Sequence, residues 1–490
     1  MRESGILMHI SSLPSPYGIG TMGKCAYEFV DFLVSAGQRY WQILPLSPTG
    51  YGDSPYQSFS TFAGTHYLID LDTRVEEGLL LQEEVDAPVW GSDPVRVDYG
   101  CLYENRNKLL RLAYNRFVPD ADFASFVQEN ADWLEDYGLF MSLKESHRGA
   151  PWQQWSLSMM MRLEAVLAEC RIELADSIRF QKFLQYLFFR QWKALRGYAN
   201  EKGIRIIGDV PIYVPLDSAD VWANPHLFQL DGACRPKRVA GCPPDSFSAD
   251  GQLWGNPLYD WDKMKKNNYA WWTRRLAAAA RMYDVVRFDH FRGFESYWSI
   301  PAGDKTAAFG RWEKGPGLDF INAVKAALPE LDFIAEDLGF VTPEVRQLQE
   351  DSGYPGMKVL QFAFDSREES DYLPHTYPVN SVVYSGTHDN LTMVQWLEEA
   401  PKEDVAFAKV YLGLNEGEGL VRGIIRGCMG SVSRLCIIQM QDWLELGAFA
   451  RMNFPGTLSS DNWSWRAEAG FITPELTRQI HEMTRIYGRL

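Results

Sequence analysis

The sequence predicts an α/β fold: a (β/α)8 TIM barrel with large inserted subdomains and no separate C-terminal β domain. Three observations predict it. Eight short apolar runs recur along the 490 residues, helix-like segments precede several of them, and two long gaps hold what a bare barrel of roughly 250 residues does not need. The runs are near-continuous rather than alternating, the pattern of strands buried on both faces, as parallel strands are.

The first run is GILMHI (5–10) and the second YWQILPL (40–46), joined by YEFVDFLVSAG, which reads as a helix stopped by Gly37. The third, IRIIGDV (204–210), follows some 150 residues with helical patterns such as YENRNKLLRLAYNRF and SIRFQKFLQYLFFRQW. The fourth is DVVRFDH (284–290). DFIAEDL (332–338), MKVLQFAF (357–364), SVVYSGT (381–387) and RLCIIQMQ (434–441) complete the eight, with TPEVRQLQEDSG reading as a Gly-terminated helix between the fifth and sixth. The gaps place a helical insertion at roughly residues 75–175 and an irregular one, rich in Gly, Pro, Asp and Trp, at roughly 215–265. Neither contains a low-complexity linker and no internal repeat is visible, so residues 1–490 read as one catalytic barrel with insertions packed upon it.

Charge narrows the partners. With 48 Lys and Arg against 64 Asp and Glu, a net charge of -16 repels phosphate backbones and anionic membrane surfaces, and no basic run escapes the balance. Nucleic acid and membrane are therefore excluded as expected partners. The N-terminal MRESGILMHISSLPSP lacks a cleavage-site pattern, no stretch of about 18 apolar residues occurs, and seven scattered cysteines fit a reducing compartment. A cytoplasmic location is expected. Cys234 and Cys242 lack the second pair that a zinc site requires, and no metal or organic cofactor is expected.

One motif misleads. GIGTMG (Gly18, Gly20, Gly23) matches the dinucleotide fingerprint G-x-G-x-x-G, but that motif carries meaning only directly after a strand, and here SSLPSPY intervenes.

In such a barrel the active site forms at the C-terminal strand ends. Asp284 opens the fourth strand and falls on the stability face; Asp289 closes it. The fifth strand ends in Glu336 and Asp337, and the seventh leads into His388 and Asp389. Any one such residue taken alone is more often a helix N-cap or ion-pair partner; three carboxylates on one rim, with His290 and His388 beside two of them, favour chemistry. Paired carboxylates suit glycosidic bonds, one attacking or stabilising an oxocarbenium-like centre and the other protonating the leaving oxygen. Arg287 lies two residues before Asp289, hence on the same face of the strand, and should hold it ionised. Glu336 follows the apolar FIA, so a raised pKa and an acid/base role are expected. Asp337 should face the other way. The aromatic content (17 Trp, 23 Tyr, 27 Phe), much of it beside amides and carboxylates in loops such as YGDSPYQSF, also suits sugar rings.

At these residues the sequence resembles the 4-α-glucanotransferases known as amylomaltases or disproportionating enzymes, glycoside hydrolase family 77 of the α-amylase superfamily. SSLPSPYGIG, SPYQSFSTFAG, GDVPIYV, PPDSFSADGQLWGNPLYDW, RFDHFRGFESYW, AEDLG, SGTHDN and RMNFPGT occur in family order. The resemblance implies that Asp289 is the nucleophile, Glu336 the general acid/base and Asp389 the transition-state stabiliser. It implies that Arg287, His388, Asp209 and Tyr56 line the subsite of the attacked glucose, and that His290 contacts the next sugar. Asp245, Phe247 and Trp254 would lie on a loop folding over the bound glucan. The implied substrates are α-1,4-glucans and maltooligosaccharides, with glucose or maltooligosaccharides as acceptors. An α-1,4-glucan hydrolase of the α-amylase type, using the same three carboxylates, is the alternative; a silent glucan-binding scaffold is a more distant one. Arg292 and Glu295 remain without a role.

Overall fold

Alternation along eight strands builds the centre of the molecule. The computed structural model describes residues 2–244, 249–339, 341–367 and 370–490. Its strands, in chain order, are β1 (Glu3–Leu7), β2 (Tyr40–Gln42), β3 (Arg205–Val210), β4 (Arg238–Cys242), β5 (Gln252–Pro257), β6 (Val285–Phe288), β7 (Ser296–Pro301), β8 (Arg311–Lys314), β9 (Asp332–Ala335), β10 (Gly356–Val359), β11 (Ser381–Tyr384) and β12 (Leu435–Gln439). Eight of them, β1, β2, β3, β6, β9, β10, β11 and β12, pair in parallel and close into a barrel, one for each apolar run of the sequence.

The near-continuous hydrophobicity has two owners. Leu7, Tyr40, Ile207, Val285, Ile334, Met357, Val359, Val382, Tyr384, Leu435 and Ile437 point inward and fill the barrel. Their neighbours Ile6, Trp41, Ile206, Val286, Phe288, Phe333, Val383 and Cys436 point outward into the larger core shared with the helices. Because successive side chains take opposite faces, this parity extends past the strand ends. Asp209, Arg287, Asp289 and Glu336 continue the inward set, whereas Asp337 continues the outward set, where its carboxylate accepts from the Met357 N–H at 2.7 Å.

The 43–204 segment joining β2 to β3 is helical. Tyr99–Arg116, Ala121–Glu129 and Ala131–Ser146 pack against the 27-residue helix Ala175–Glu201, which also touches Lys24–Ser35 and returns the chain to β3. The segment expected to be irregular contains two strands. β4 and β5 join β7 and β8 in a four-stranded antiparallel sheet of order β5-β4-β7-β8, so this layer draws in residues 296–314 as well. Its strands are short and polar or glycine-containing, and Val239 finds its partner Ile300 some sixty residues away, so no local periodicity announces it.

The glycines of GIGTMG serve packing. A Cβ on Gly20 would lie 1.9 Å from the Ile10 carbonyl oxygen, and one on Gly23, which precedes the helix Lys24–Ser35, would lie 2.0 Å from the Asp70 carboxylate. No helix among the described residues is long and apolar enough to cross a membrane.

Candidate active site

Adjacent strands carry the rim residues to one level. Asp209 on β3 is paired in register with Arg287 on β6, and Phe288 with Ala335 on β9, so Asp289 and Glu336 each stand one residue beyond neighbouring strands. The strand ends are stitched together: Glu336 N–H donates to the Phe288 carbonyl and Phe291 N–H to the Glu336 carbonyl, each at 3.0 Å. His290 adopts a left-handed backbone conformation (φ 48°), and its N–H donates to Glu336 Oε2 at 2.6 Å. Leu338 N–H donates to Oε1 at 2.9 Å. Behind this turn Phe288, Phe291 and Phe294 form an aromatic wall, with Phe288 stacked on Phe333 at 4.7 Å. A non-glycine residue with positive φ is disfavoured, and the wall and the two stitched strands hold it in place.

Arg287 is the hub. Its Nη1 reaches Asp209 Oδ2 at 2.6 Å and Asp289 Oδ1 at 3.3 Å, and its Nε reaches Met357 Sδ at 3.4 Å. Tyr56 O–H donates to the same Asp209 oxygen at 2.7 Å, leaving Asp209 Oδ1 buried without a partner among the described residues. Tyr56 stacks on His388 at 5.2 Å, and Trp463 lies 5.7 and 5.9 Å from those two rings. His388 Nε2 is 3.5 Å from Asp389 Oδ2. Trp254, on β5, meets His290 edge-on at 4.9 Å, so the antiparallel sheet presents an indole to the rim.

Electrostatics separate the carboxylates. Burial pushes Glu336 up to about 8, with the negative Asp289 adding to the rise against Arg287. Burial also raises Asp289, to about 6; Arg287 opposes this, while Asp209 and Asp389 reinforce it. Arg287 favours the ionised form, as expected, but desolvation and two carboxylates from elsewhere on the rim outweigh it. Asp289 is nevertheless mostly ionised at neutral pH and Glu336 mostly protonated. Burial lowers both His388 and His290, the latter to about 3, so both rings are neutral.

The structure thus brings together Tyr56, Asp209, Trp254, Arg287, Asp289, His290, Glu336, His388 and Asp389; Asp245 and Phe247 lie outside the described residues. Sequence reasoning passed over three residues at this rim, Arg451, Asn453 and Trp463. The first two lie in RMNFPGT, a stretch given no task, and Trp463 lies ten residues further on. Among the described residues no group of three or more His, Cys, Asp or Glu side chains is placed to hold a metal ion.

A protonated and an ionised carboxyl at the ends of neighbouring parallel strands define a class, the (β/α)8 enzymes that work with paired carboxylates. Comparison with known proteins narrows it. Residues 8–472 match the family described as 4-alpha-glucanotransferase, and the chain belongs to that family. It is 51% identical over 497 residues to the 4-alpha-glucanotransferase of Streptococcus pneumoniae serotype 4, covering 100% of this chain and 98% of the relative. It is 49% identical over 486 residues to that of Clostridium butyricum, covering 98% and 100%. The amylomaltase from Streptococcus agalactiae, solved in complex with acarbose, superposes with a TM-score of 0.97 at 42% identity over 100% of both chains. The chain is accordingly a 4-α-glucanotransferase, and the hydrolase alternative is not favoured.

Proposed function

We propose that the chain moves α-1,4-glucan segments from donor to acceptor maltooligosaccharides by a retaining double displacement. The observation that carries this is the placement of Asp289 and Glu336, each one residue beyond neighbouring strands at one level of the rim, with burial raising Glu336 further than Asp289. In the first half, an Asp289 carboxylate oxygen attacks the anomeric carbon and the bond to the departing 4-oxygen breaks. That oxygen takes the Glu336 proton, leaving a β-glucosyl ester on Asp289. In the second half, an acceptor 4-hydroxyl gives its proton to Glu336, its oxygen bonds to the anomeric carbon, and Asp289 departs as a carboxylate. Both carboxyls return to their starting states, and one α-1,4 bond has replaced another.

The remaining roles are those the family resemblance implies, and the geometry supports them. Asp389, facing the open site with its side chain 42% exposed, stabilises the oxocarbenium-like centre and binds sugar hydroxyls. The unpartnered Asp209 Oδ1 is an acceptor for a hydroxyl of the attacked glucose. Arg287, Tyr56 and neutral His388 complete that subsite, and His290 with Trp254 offers the next sugar a polar edge and an apolar face. Transfer outruns hydrolysis only where bound acceptor beats water at roughly 55 M, a task for the indole that Trp254 on β5 presents to the rim, with glucose or maltooligosaccharides as acceptors. A cytoplasmic setting completes the proposal, supported by seven scattered cysteines, an odd number that suits no disulfide framework.

Incubation with maltotriose tests the whole reading. Glucose together with oligosaccharides longer than the donor is the expected profile, and a ladder of shortened products alone would overturn it.

A further inference from the structure

Asp289 and Glu336 are each one residue beyond a strand, but Asp389 is five residues past the end of β11 (Ser381–Tyr384), on a loop. A carboxylate so placed takes its aim from whatever holds the loop. Two residues of the segment after β12 do so. Asn453, itself 8% exposed, donates from Nδ2 to Asp389 Oδ1 at 2.6 Å. Arg451 donates from Nη2 to the Asp389 carbonyl and from Nε to the Asn453 carbonyl, both at 2.8 Å, so one guanidinium ties the two backbones together. That guanidinium lies 3.8 Å over the Phe454 ring, and Phe454 N–H is held by Asn462 Oδ1 at 3.0 Å. Between the two polar residues, Met452 enters the barrel core beside Trp463, whose N–H donates to the Met452 carbonyl at 2.7 Å. The segment is thus anchored in the core, braced outside it, and aimed at the carboxylate.

We infer that Asn453 is a positioning residue for the reaction, the side-chain half of a clamp with Arg451 that fixes the orientation of Asp389. The chemistry of the pair supports this. An ionised carboxylate only accepts, so the amide must present its NH2 group, and a neutral donor orients a carboxylate without cancelling its charge. With Oδ1 engaged, Oδ2 is left facing the neutral His388, whose Nε2 lies 3.5 Å away. The inference rests on the reading of Asp389 as the transition-state stabiliser.

The test is a cycle of variants, Asn453→Ala, Asp389→Asn and the double, measured by glucose release from maltotriose together with thermal midpoints. Misplacement by about an ångström costs on the order of 100-fold in rate. Asn453→Ala is expected to lower kcat by about 10- to 100-fold with KM within about twofold and a near-parental melting midpoint. In the Asp389→Asn background the same change is expected to cost less than about threefold, since the group to be positioned is already disabled. Asn453→Asp, equal in shape but unable to donate, should lose at least as much, and it carries the test should the alanine variant fold poorly. Unchanged kcat in both Asn453 variants, losses that multiply in the double variant, or a rise in KM alone would overturn the clamp. If Asp389→Asn is impaired and Asn453→Ala is not, only the clamp fails; if Asp389→Asn keeps full turnover, the stabiliser role fails first and the clamp with it.

Discussion

The strand β6 carries an aspartate at each end, each beside an arginine, and the two have opposite lives. Asp284, at the N-terminal end, has every lone-pair direction occupied. Arg196 donates to Oδ1 from Nε at 3.2 Å and Nη2 at 2.6 Å, while Asn200 and the Ile206 N–H donate to Oδ2 at 2.8 and 2.7 Å. Asp289, at the C-terminal end, has one donor among the described residues, Arg287 at 3.3 Å, and that guanidinium sits closer to Asp209. A saturated carboxylate is a structural tie, whereas a partly exposed carboxylate with its bonding unfinished keeps lone pairs free to attack. What divides the ends is how many donors the surrounding elements direct at each group, since the residue types are the same.

The sharpest way to break the comparison is to exchange the fates. Asp289→Asn is expected to reduce maltotriose disproportionation by about 10⁴-fold or more, the scale seen when a covalent nucleophile is removed. Asp284→Asn is expected to leave kcat within about threefold. Its cost appears instead in denaturation, about 2 kcal/mol for a partly shielded ion pair broken on one side. Comparable activity losses in the two variants, read from initial rates, would show that the ends of the strand are not functionally distinct.

The second prediction concerns pH. Turnover requires Asp289 ionised and Glu336 protonated, so it should rise as pH passes about 6 and fall as pH passes about 8. Glu336→Gln should reduce kcat on natural glucans by roughly 10³-fold and remove the alkaline limb when a donor with a leaving group that needs no proton is supplied. An alkaline limb that persists in that variant would assign the limb to another group.

Much of this was legible because burial on two faces writes itself into a sequence. Eight strands buried inside and outside the barrel leave eight apolar runs, and the parity of β6 carries Arg287 and Asp289 to one face by arithmetic alone. The antiparallel sheet was not legible, because β8 (Arg311–Lys314) is a mostly exposed polar edge strand and its neighbours are defined by partners far along the chain. The state of Asp289 was legible only in part. Arg287 is two residues away and visible, but Asp209 and Asp389, which push the other way, arrive from other strands. Asn453 was hidden for the same reason, its partner being 64 residues distant.

The smallest predicted effect returns to the unfinished bonding of the rim and concerns stability. Glu336 has a higher pKa in the folded chain, about 8, than the ordinary value of 4.5 it takes when unfolded. The folded state therefore binds the proton more tightly. This contribution to stability is fully present below pH 4.5 and is lost as pH rises through about 8, where the folded chain must hold a desolvated charge. Glu336→Gln keeps the shape and a neutral group at every pH. Its melting midpoint should match that of the parent near pH 5 and exceed it increasingly toward pH 9, by a few degrees at most in a chain of this length. Asp284→Asn should be less stable than the parent, because it takes an acceptor away from Arg196, Asn200 and the Ile206 N–H. A Glu336→Gln chain less stable than the parent at pH 9 would mean that the carboxylate is well solvated at the rim, and the contrast between the two ends of β6 would lose its physical basis.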